Sequence, residues 1–152
     1  MELKFKIYNL DIPNKNGYVY SKESIENMFD KYRCSNIPIV LRDGCEDTYS
    51  DNIIGSANII DVNYPEFECY ANIHSELITE ILKKKIGGFT MYGLGSVNTA
   101  KNDKVVHDYK LEEFNYFLNP AQATSFEIIE NSIIGVDLAE GEDFTSEMAY
   151  LH

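Results

Sequence analysis

The sequence is short of basic residues and of long apolar runs. Lys and Arg together number 13, against 25 Asp and Glu, so the formal net charge is −12. A protein that follows a phosphate backbone needs clustered basic side chains, and this composition argues against nucleic-acid binding. No apolar run approaches the ~20 residues that cross a bilayer, and the N-terminus has no apolar signal-peptide core. We therefore expect a soluble intracellular protein that binds neither nucleic acid nor membrane.

Cysteine and histidine are also scarce, with three residues of each. The cysteines have no metal-ligand spacing, which predicts reduced thiols, with Cys69 in the core. A nucleophilic side chain needs a base beside it. None of the histidines stands in a sequence context that demands catalysis: His74, His107 and His152.

Two local patterns resemble ligand-binding motifs without matching them closely. Four acids fall between Asp43 and Asp51, but their spacing is not that of a calcium-binding loop, so we expect a solvated loop. Gly93 and Gly95 resemble part of a phosphate-binding fragment, but a third glycine and a following helix are missing. Glycines in a strand also allow a neighbouring backbone to come close, and we expect that role here. The residues therefore predict no cofactor and no metal.

Aromatic and alternating apolar residues dominate what is present. Hydrophobic residues make up 44% of the 152 positions, which is enough for one domain core, and 11 Tyr and 8 Phe favour strands. Alternating or continuous apolar residues predict strands at residues 3–7, 37–41, 53–60, 67–73, 89–97, 110–118, 126–129 and 133–138. Residues 101–108 are predicted to be a polar connection between two of these strands.

Two helices are predicted, at residues 22–32 and 76–85, with Ser21 and Ser75 as their N-caps. Burial is expected for Ile25, Met28 and Phe29 in the first helix and for Ile78, Ile81 and Leu82 in the second, whose apolar stripe also includes Leu77. The predicted fold class is α+β, a mostly antiparallel bent sheet or barrel with two packed helices. It is expected to occupy residues 1–138, followed by an acidic C-terminal tail at residues 139–152.

Five segments, in order, resemble motifs of the caudoviral prohead (capsid maturation) proteases. They lie at residues 12–21, 38–44 (Pro-Ile-Val-Leu-Arg-Asp-Gly), 53–57 (Ile-Ile-Gly-Ser-Ala), 81–93 and 117–123 (Phe-Leu-Asn-Pro-Ala-Gln-Ala). The Asn-Pro-Ala block is the most similar of the five. Together the series spans about residues 3–130, and it implies a prohead-protease-like fold.

The two catalytic positions implied by this resemblance are not kept. Where the family has its histidine base, this chain has Asp43, or Arg42 if the alignment moves by one residue. Where the family has its serine nucleophile, it has Met91, or Thr90 with the same shift. A carboxylate cannot replace the imidazole near pH 7, and Met91 has no nucleophilic group. The resemblance therefore implies a catalytically degenerate homologue, whose former site residues should still lie close together.

Three functions follow from this interpretation. The first is a non-catalytic phage virion protein, a capsid decoration or minor head protein, that binds the major capsid protein and could self-associate. It would be found in the virion, and in the host cytoplasm during assembly. The second is an active maturation peptidase with an atypical dyad, Thr90 with His107. The third is an unrelated intracellular binding module.

The C-terminal tail combines acidic and apolar residues. It has four acids and no Lys or Arg, and it also carries four large apolar side chains. Such a segment is expected to become ordered on a neighbouring protein, with a frayed terminus as the alternative. The candidate partner-binding residues are Phe144, Met148, Tyr150 and Leu151.

Overall fold

The computed structural model describes residues 1–13, 17–42, 52–84, 86–98 and 104–118, and the backbone of strands at 124–128 and 133–134. The helices are α1 (Lys22–Tyr32) and α2 (Glu76–Lys83). The strands are β1 (Glu2–Ile7), β2 (Val19–Tyr20), β3 (Ile37–Leu41), β4 (Ile53–Asn63), β5 (Glu66–Ile73), β6 (Gly88–Ser96), β7 (Val105–Phe117), β8 (Thr124–Ile128) and β9 (Ile133–Ile134).

The strands form one strongly bent, mostly antiparallel sheet. Along the sheet the order is β6-β7-β3-β4-β5-β1-β8-β9, and β2 pairs with the beginning of β7. Among these strands, the only parallel pairings are those of β2 and β3 with β7. The rings of Phe5 in β1 and Phe89 in β6 stack with centroids 4.3 Å apart, although the two strands are five places apart in this order. The sheet therefore curls into a half-barrel, and the predicted α+β class is confirmed.

The core fills the concave side of this half-barrel. Phe5, Phe67, Phe89 and Phe114 are buried there, and Phe5 meets Phe114 edge to face with centroids 5.1 Å apart. Cys69 is fully buried in the same core, as predicted. Aromatic pairs in these geometries add to the stabilisation that burial alone provides.

Both helices begin where their capping serines predict. The Ser21 hydroxyl accepts a hydrogen bond from the Ser24 amide at 3.1 Å, and the Ser75 hydroxyl accepts one from the Ile78 amide at 3.3 Å. Helix α1 has the predicted bounds, whereas α2 ends at Lys83 rather than residue 85.

The predicted helix stripes are only partly buried. Ile25, Met28, Ile78 and Leu82 lie in the core, while Phe29 and Ile81 are half-buried. Leu77, which also belongs to the apolar stripe of α2, is 70% exposed. It stands in the first turn of α2, on the side away from Ile78 and Leu82.

Strand β7 begins earlier than the sequence predicts. Residues from Val105 onwards belong to it, so His107 and Asp108 lie in the strand rather than in a polar connection. Both side chains are exposed, and Asp108 has a φ of +51°, which interrupts the alternation on which the prediction depended. Opposite this region, a Cβ on Gly93 would collide with the Lys110 carbonyl oxygen, so the predicted close backbone approach is confirmed.

Candidate functional site

Strand β7 brings the ends of two other strands together. On one side it pairs in parallel with β3, where Val40 lies opposite Asn115. On the other side it pairs antiparallel with β6, where Thr90 lies opposite Asn115 and Tyr92 opposite Glu113. Because directly paired residues point to the same face of a sheet, these side chains share one face.

This face is opposite the aromatic core. Phe114 and Tyr116 of β7 point into the core with Met91 of β6, so the intervening Glu113 and Asn115 point the other way. A face that turns away from the core is normally solvated, but here Glu113 and Asn115 are each only 1% exposed. Thr90 is buried as well.

Arg42 lies directly after β3 and reaches across β7 on this face. Its backbone amide donates to the Tyr116 carbonyl at 3.1 Å, which continues the parallel ladder by one residue. Its Nε donates to Asn115 Oδ1 at 3.0 Å, and its Nη2 donates to Glu113 Oε2 at 3.0 Å. The guanidinium carbon lies 5.3 Å from the centroid of the Tyr92 ring, within the range of a cation–π contact. We call Arg42, Tyr92, Glu113 and Asn115 the Arg42 cluster.

The electrostatics of the Arg42 cluster differ from those of the lysine ion pairs. A buried carboxylate is strongly destabilising unless an opposite charge and hydrogen bonds compensate for its lost hydration. Arg42 supplies both to Glu113, and its own side chain keeps 24% exposure. The lysines that pair with Glu66, Glu68 and Glu80 have side chains more than 40% exposed, where an ion pair contributes little.

The predicted catalytic positions are found around this cluster. Thr90 is 6% exposed and lies on the same face, next to Asn115 by register. Met91 is 2% exposed and points into the core on the opposite face. Arg42, the alternative position for the base, is in the cluster itself. Asp43 lies outside the described residues, so its distance from Thr90 and Met91 stays a prediction.

The Thr90–His107 pairing considered for an active peptidase is wrong. His107 is paired with Ser96, six positions further along β6 than Thr90. At about 3.3 Å per residue, that separation is about 20 Å, far beyond a hydrogen bond. The sequence predicted His107 in a polar connection, whereas it lies in strand β7.

Sequence reasoning also missed Glu113, Asn115 and Tyr92. Their alternation with Phe114 and Tyr116 is visible in the sequence, and it predicts a solvated face. No local signal in the sequence shows that this face is buried, because Arg42 is brought beside β7 by the pairing of β3 with β7. Alternation cannot reveal that pairing.

The remaining candidate residues lie outside the described residues. These are the acids from Asp43 to Asp51 and the tail candidates Phe144, Met148, Tyr150 and Leu151. Within the part of the chain that the structure describes, no group of three or more His, Cys, Asp or Glu could hold a metal ion. No helix among the described residues has the length and apolarity to span a bilayer.

Comparisons with protein-family models, with curated proteins and with solved structures find no significant match. Function has therefore to be inferred from the chain's own residues and their geometry.

Proposed function

We propose that this chain is a non-catalytic phage virion protein, a capsid decoration or minor head protein, with a prohead-protease-like fold. The observation that carries the proposal is the Arg42 cluster. It occupies the region where the resemblance implies a histidine base beside a serine nucleophile. In this chain the region contains an arginine bound to a buried glutamate and a buried asparagine.

The chemistry of these side chains does not suit peptide hydrolysis. A guanidinium stays protonated in proteins, so Arg42 cannot accept the proton of a nucleophile. Met91 has no nucleophilic group and is directed into the core. Thr90 has a hydroxyl, but a threonine needs an adjacent base to become nucleophilic, and His107 is too far along the strand. A domain without a working dyad supports a structural role.

The partner proposed is the major capsid protein, and self-association is a second option. A net charge of −12 favours a protein surface over packaged DNA, because the phosphates would repel a domain rich in carboxylates. The chain would then lie on the outer or inter-capsomer surface of the virion, after residence in the host cytoplasm during assembly.

Quantitative mass spectrometry of purified particles tests the proposal. Particles are prepared from cells that carry the gene and from cells in which it is deleted. We expect the intact chain in mature particles, at a fixed molar ratio to the major capsid protein. Absence of the chain from mature particles would contradict the virion role.

A matched variant separates the peptidase alternative. Thr90→Val keeps the size and shape of the side chain and removes the hydroxyl. We expect the same capsid-protein fragments with Thr90→Val as with the wild type. Loss of processed fragments in the variant alone would establish a peptidase and overturn the non-catalytic assignment.

A further inference from the structure

The two hydrogen bonds of the Arg42 side chain use one edge of its guanidinium. The Nε–H and the neighbouring Nη2–H point in nearly the same direction, and they bond Asn115 and Glu113 respectively. The adjacent, end-on edge carries one N–H of Nη1 and the second N–H of Nη2. These two donors form a fork that matches both oxygens of a carboxylate.

The buried hydrogen-bond partners of Arg42 fix the orientation of this fork. Glu113 and Asn115 are each 1% exposed, so their side chains are held in place by the surrounding residues. The Tyr92 ring lies beside the guanidinium, with its centroid 5.3 Å from the guanidinium carbon. A simple ion pair needs only Glu113, and the bond from Nε to Asn115 adds orientation rather than charge compensation. The Arg42 side chain as a whole is 24% exposed, so it is accessible in part to solvent.

From this geometry we propose that Arg42 is a preorganised receptor for the carboxylate of another peptide, either an Asp or Glu side chain or a C-terminus. The carboxylate would accept two parallel hydrogen bonds from Nη1 and Nη2 and would lie against the Tyr92 ring. Preorganisation matters because the entropy of fixing a long side chain is already lost before binding. Since Glu113 compensates the charge of Arg42, the interaction is weak and specific in its geometry.

The inference goes beyond the proposed virion role, and its test uses the purified chain alone, so the two can fail separately. The ¹⁵N-labelled protein is titrated with sodium acetate, and with sodium chloride at the same ionic strength. The main readout is the Nε–H resonance of Arg42, which its bond to Asn115 should protect from exchange. We expect a saturable shift of this resonance with acetate and only a small, linear shift with chloride. Equal linear shifts with both salts would overturn the proposal.

Variants test the need for the fork. Arg42→Lys keeps a positive charge but loses the planar pair of donors, and we expect apparent acetate affinity to fall about fivefold, followed at the Tyr92 amide. Lys6→Gln, which removes a cation of an exposed pair, should bind acetate as the wild type does. Acetate affinity unchanged in Arg42→Lys would contradict the assignment. If Arg42→Lys fails to fold, the Arg42 resonance of the wild-type protein decides.

Two blocked tripeptides distinguish the sources of the carboxylate. One has a free C-terminus and no acidic side chain, and the other has a central Asp and an amidated C-terminus. A saturable shift of the Arg42 resonance with one of the peptides identifies the source of the carboxylate. If acetate binds but neither peptide shifts the resonance, peptides are excluded as the ligand.

Discussion

The Glu113 carboxylate is buried, so the free energy of the folded state depends on the groups that replace its hydration. Arg42 provides a positive charge and a hydrogen bond at 3.0 Å. The lysine ion pairs are different, because both charges of each pair remain hydrated. Stability should therefore respond unequally to the loss of one positive charge at these positions.

Replacing Arg42 by alanine should lower the free energy of unfolding by about 3 kcal/mol. The value is at the low end for a broken buried ion pair, since Arg42 itself remains partly exposed. Lys6→Ala, at an exposed pair with a distance of 2.7 Å, should cost under about 1 kcal/mol. Urea denaturation followed by circular dichroism measures both, and equal costs would show that burial of Glu113 does not matter.

A double-mutant cycle isolates the interaction within the pair. Arg42→Gln and Glu113→Gln are measured singly and together, so that the double variant leaves neither charge uncompensated. We expect the double variant to be more stable than Arg42→Gln alone. Additive losses would mean that Arg42 and Glu113 stabilise the fold independently.

The thiols should also differ sharply in reactivity. Burial, with a further contribution from the Glu68 carboxylate, raises the pKa of the Cys69 thiol well above its usual value. Thiol reagents attack the thiolate, so Cys69 should be inert in the folded protein while the exposed Cys34 reacts. In a Cys45→Ser background, a thiol-labelling assay should count one reactive thiol per chain, and two in denaturant. The Cys34→Ser, Cys45→Ser double variant is the control, and rapid labelling of its remaining cysteine would contradict the buried position.

At the scale of elements, local signals predicted best where the sequence itself contains the cause. Helix α1 has a capping serine, an acid in the first turn and an apolar stripe, and its bounds agree with the structure. The bounds of β3 agree as well, because an unbroken apolar run defines it. The start of β7 was missed because its pairing with β2 and β6 overrides a locally polar sequence.

Two leucines of α2 provide a matched test of this helix. Leu82 is fully buried and Leu77 is 70% exposed. Leu82→Ala should cost about 2–5 kcal/mol, since it removes methylene groups from a packed site and leaves a cavity. Leu77→Ala should change the free energy of unfolding by about 0.5 kcal/mol or less. Chemical denaturation measures both, and comparable losses would mean that α2 is rotated about its axis.

The turn between β4 and β5 is tied to β2 through a tyrosine. The Tyr64 hydroxyl donates a hydrogen bond to the Tyr20 carbonyl. Burial, with a smaller effect of Asp11, raises the pKa of Tyr64 from its ordinary value of 10.0. An acid with a raised pKa in the folded state stabilises the fold fully below the unfolded-state pKa. That contribution is lost as the pH rises through the folded-state value.

Stability should therefore fall more steeply above about pH 10 in the wild type than in Tyr64→Phe, which has no proton to lose. Thermal unfolding at a series of alkaline pH values measures the difference. Tyr92→Phe is the control. It also removes a tyrosine hydroxyl, but one that has no hydrogen bond to a described residue. Parallel pH profiles for wild type and Tyr64→Phe would show that this hydroxyl does not contribute.

For the whole molecule, sequence reasoning predicted the fold class better than the site. Alternation and capping are local, and together they indicate many strands and two helices, a content that favours the α+β class. The Arg42 cluster joins residues about 70 positions apart along the chain, so it depends on which strands become neighbours. The resemblance directed attention to Arg42 and Thr90, but it gave no reason to expect Glu113 and Asn115.

If the proposed capsid role is right, the C-terminal tail should contribute to capsid binding. The last described strand, β9, ends at Ile134, so truncation after Leu138 leaves every described element intact. We expect the truncated chain to fold, with a circular dichroism spectrum and melting temperature close to those of the full chain. The deleted residues remove four acids and no Lys or Arg, together with Phe144, Met148, Tyr150 and Leu151. If those apolar side chains contact the capsid, their loss should weaken association with particles that lack the protein.

Particles from the gene deletion are incubated with full-length or truncated chain and then repurified. Replacing the four apolar residues by serine in the full-length chain is the matched control, because it keeps the acids and the length. If the apolar residues bind, this variant should be retained as poorly as the truncated chain. If the charges matter instead, the serine variant should be retained like the wild type and only truncation should reduce binding. Equal retention of all three forms would exclude the tail from capsid binding and leave that contact to the folded domain.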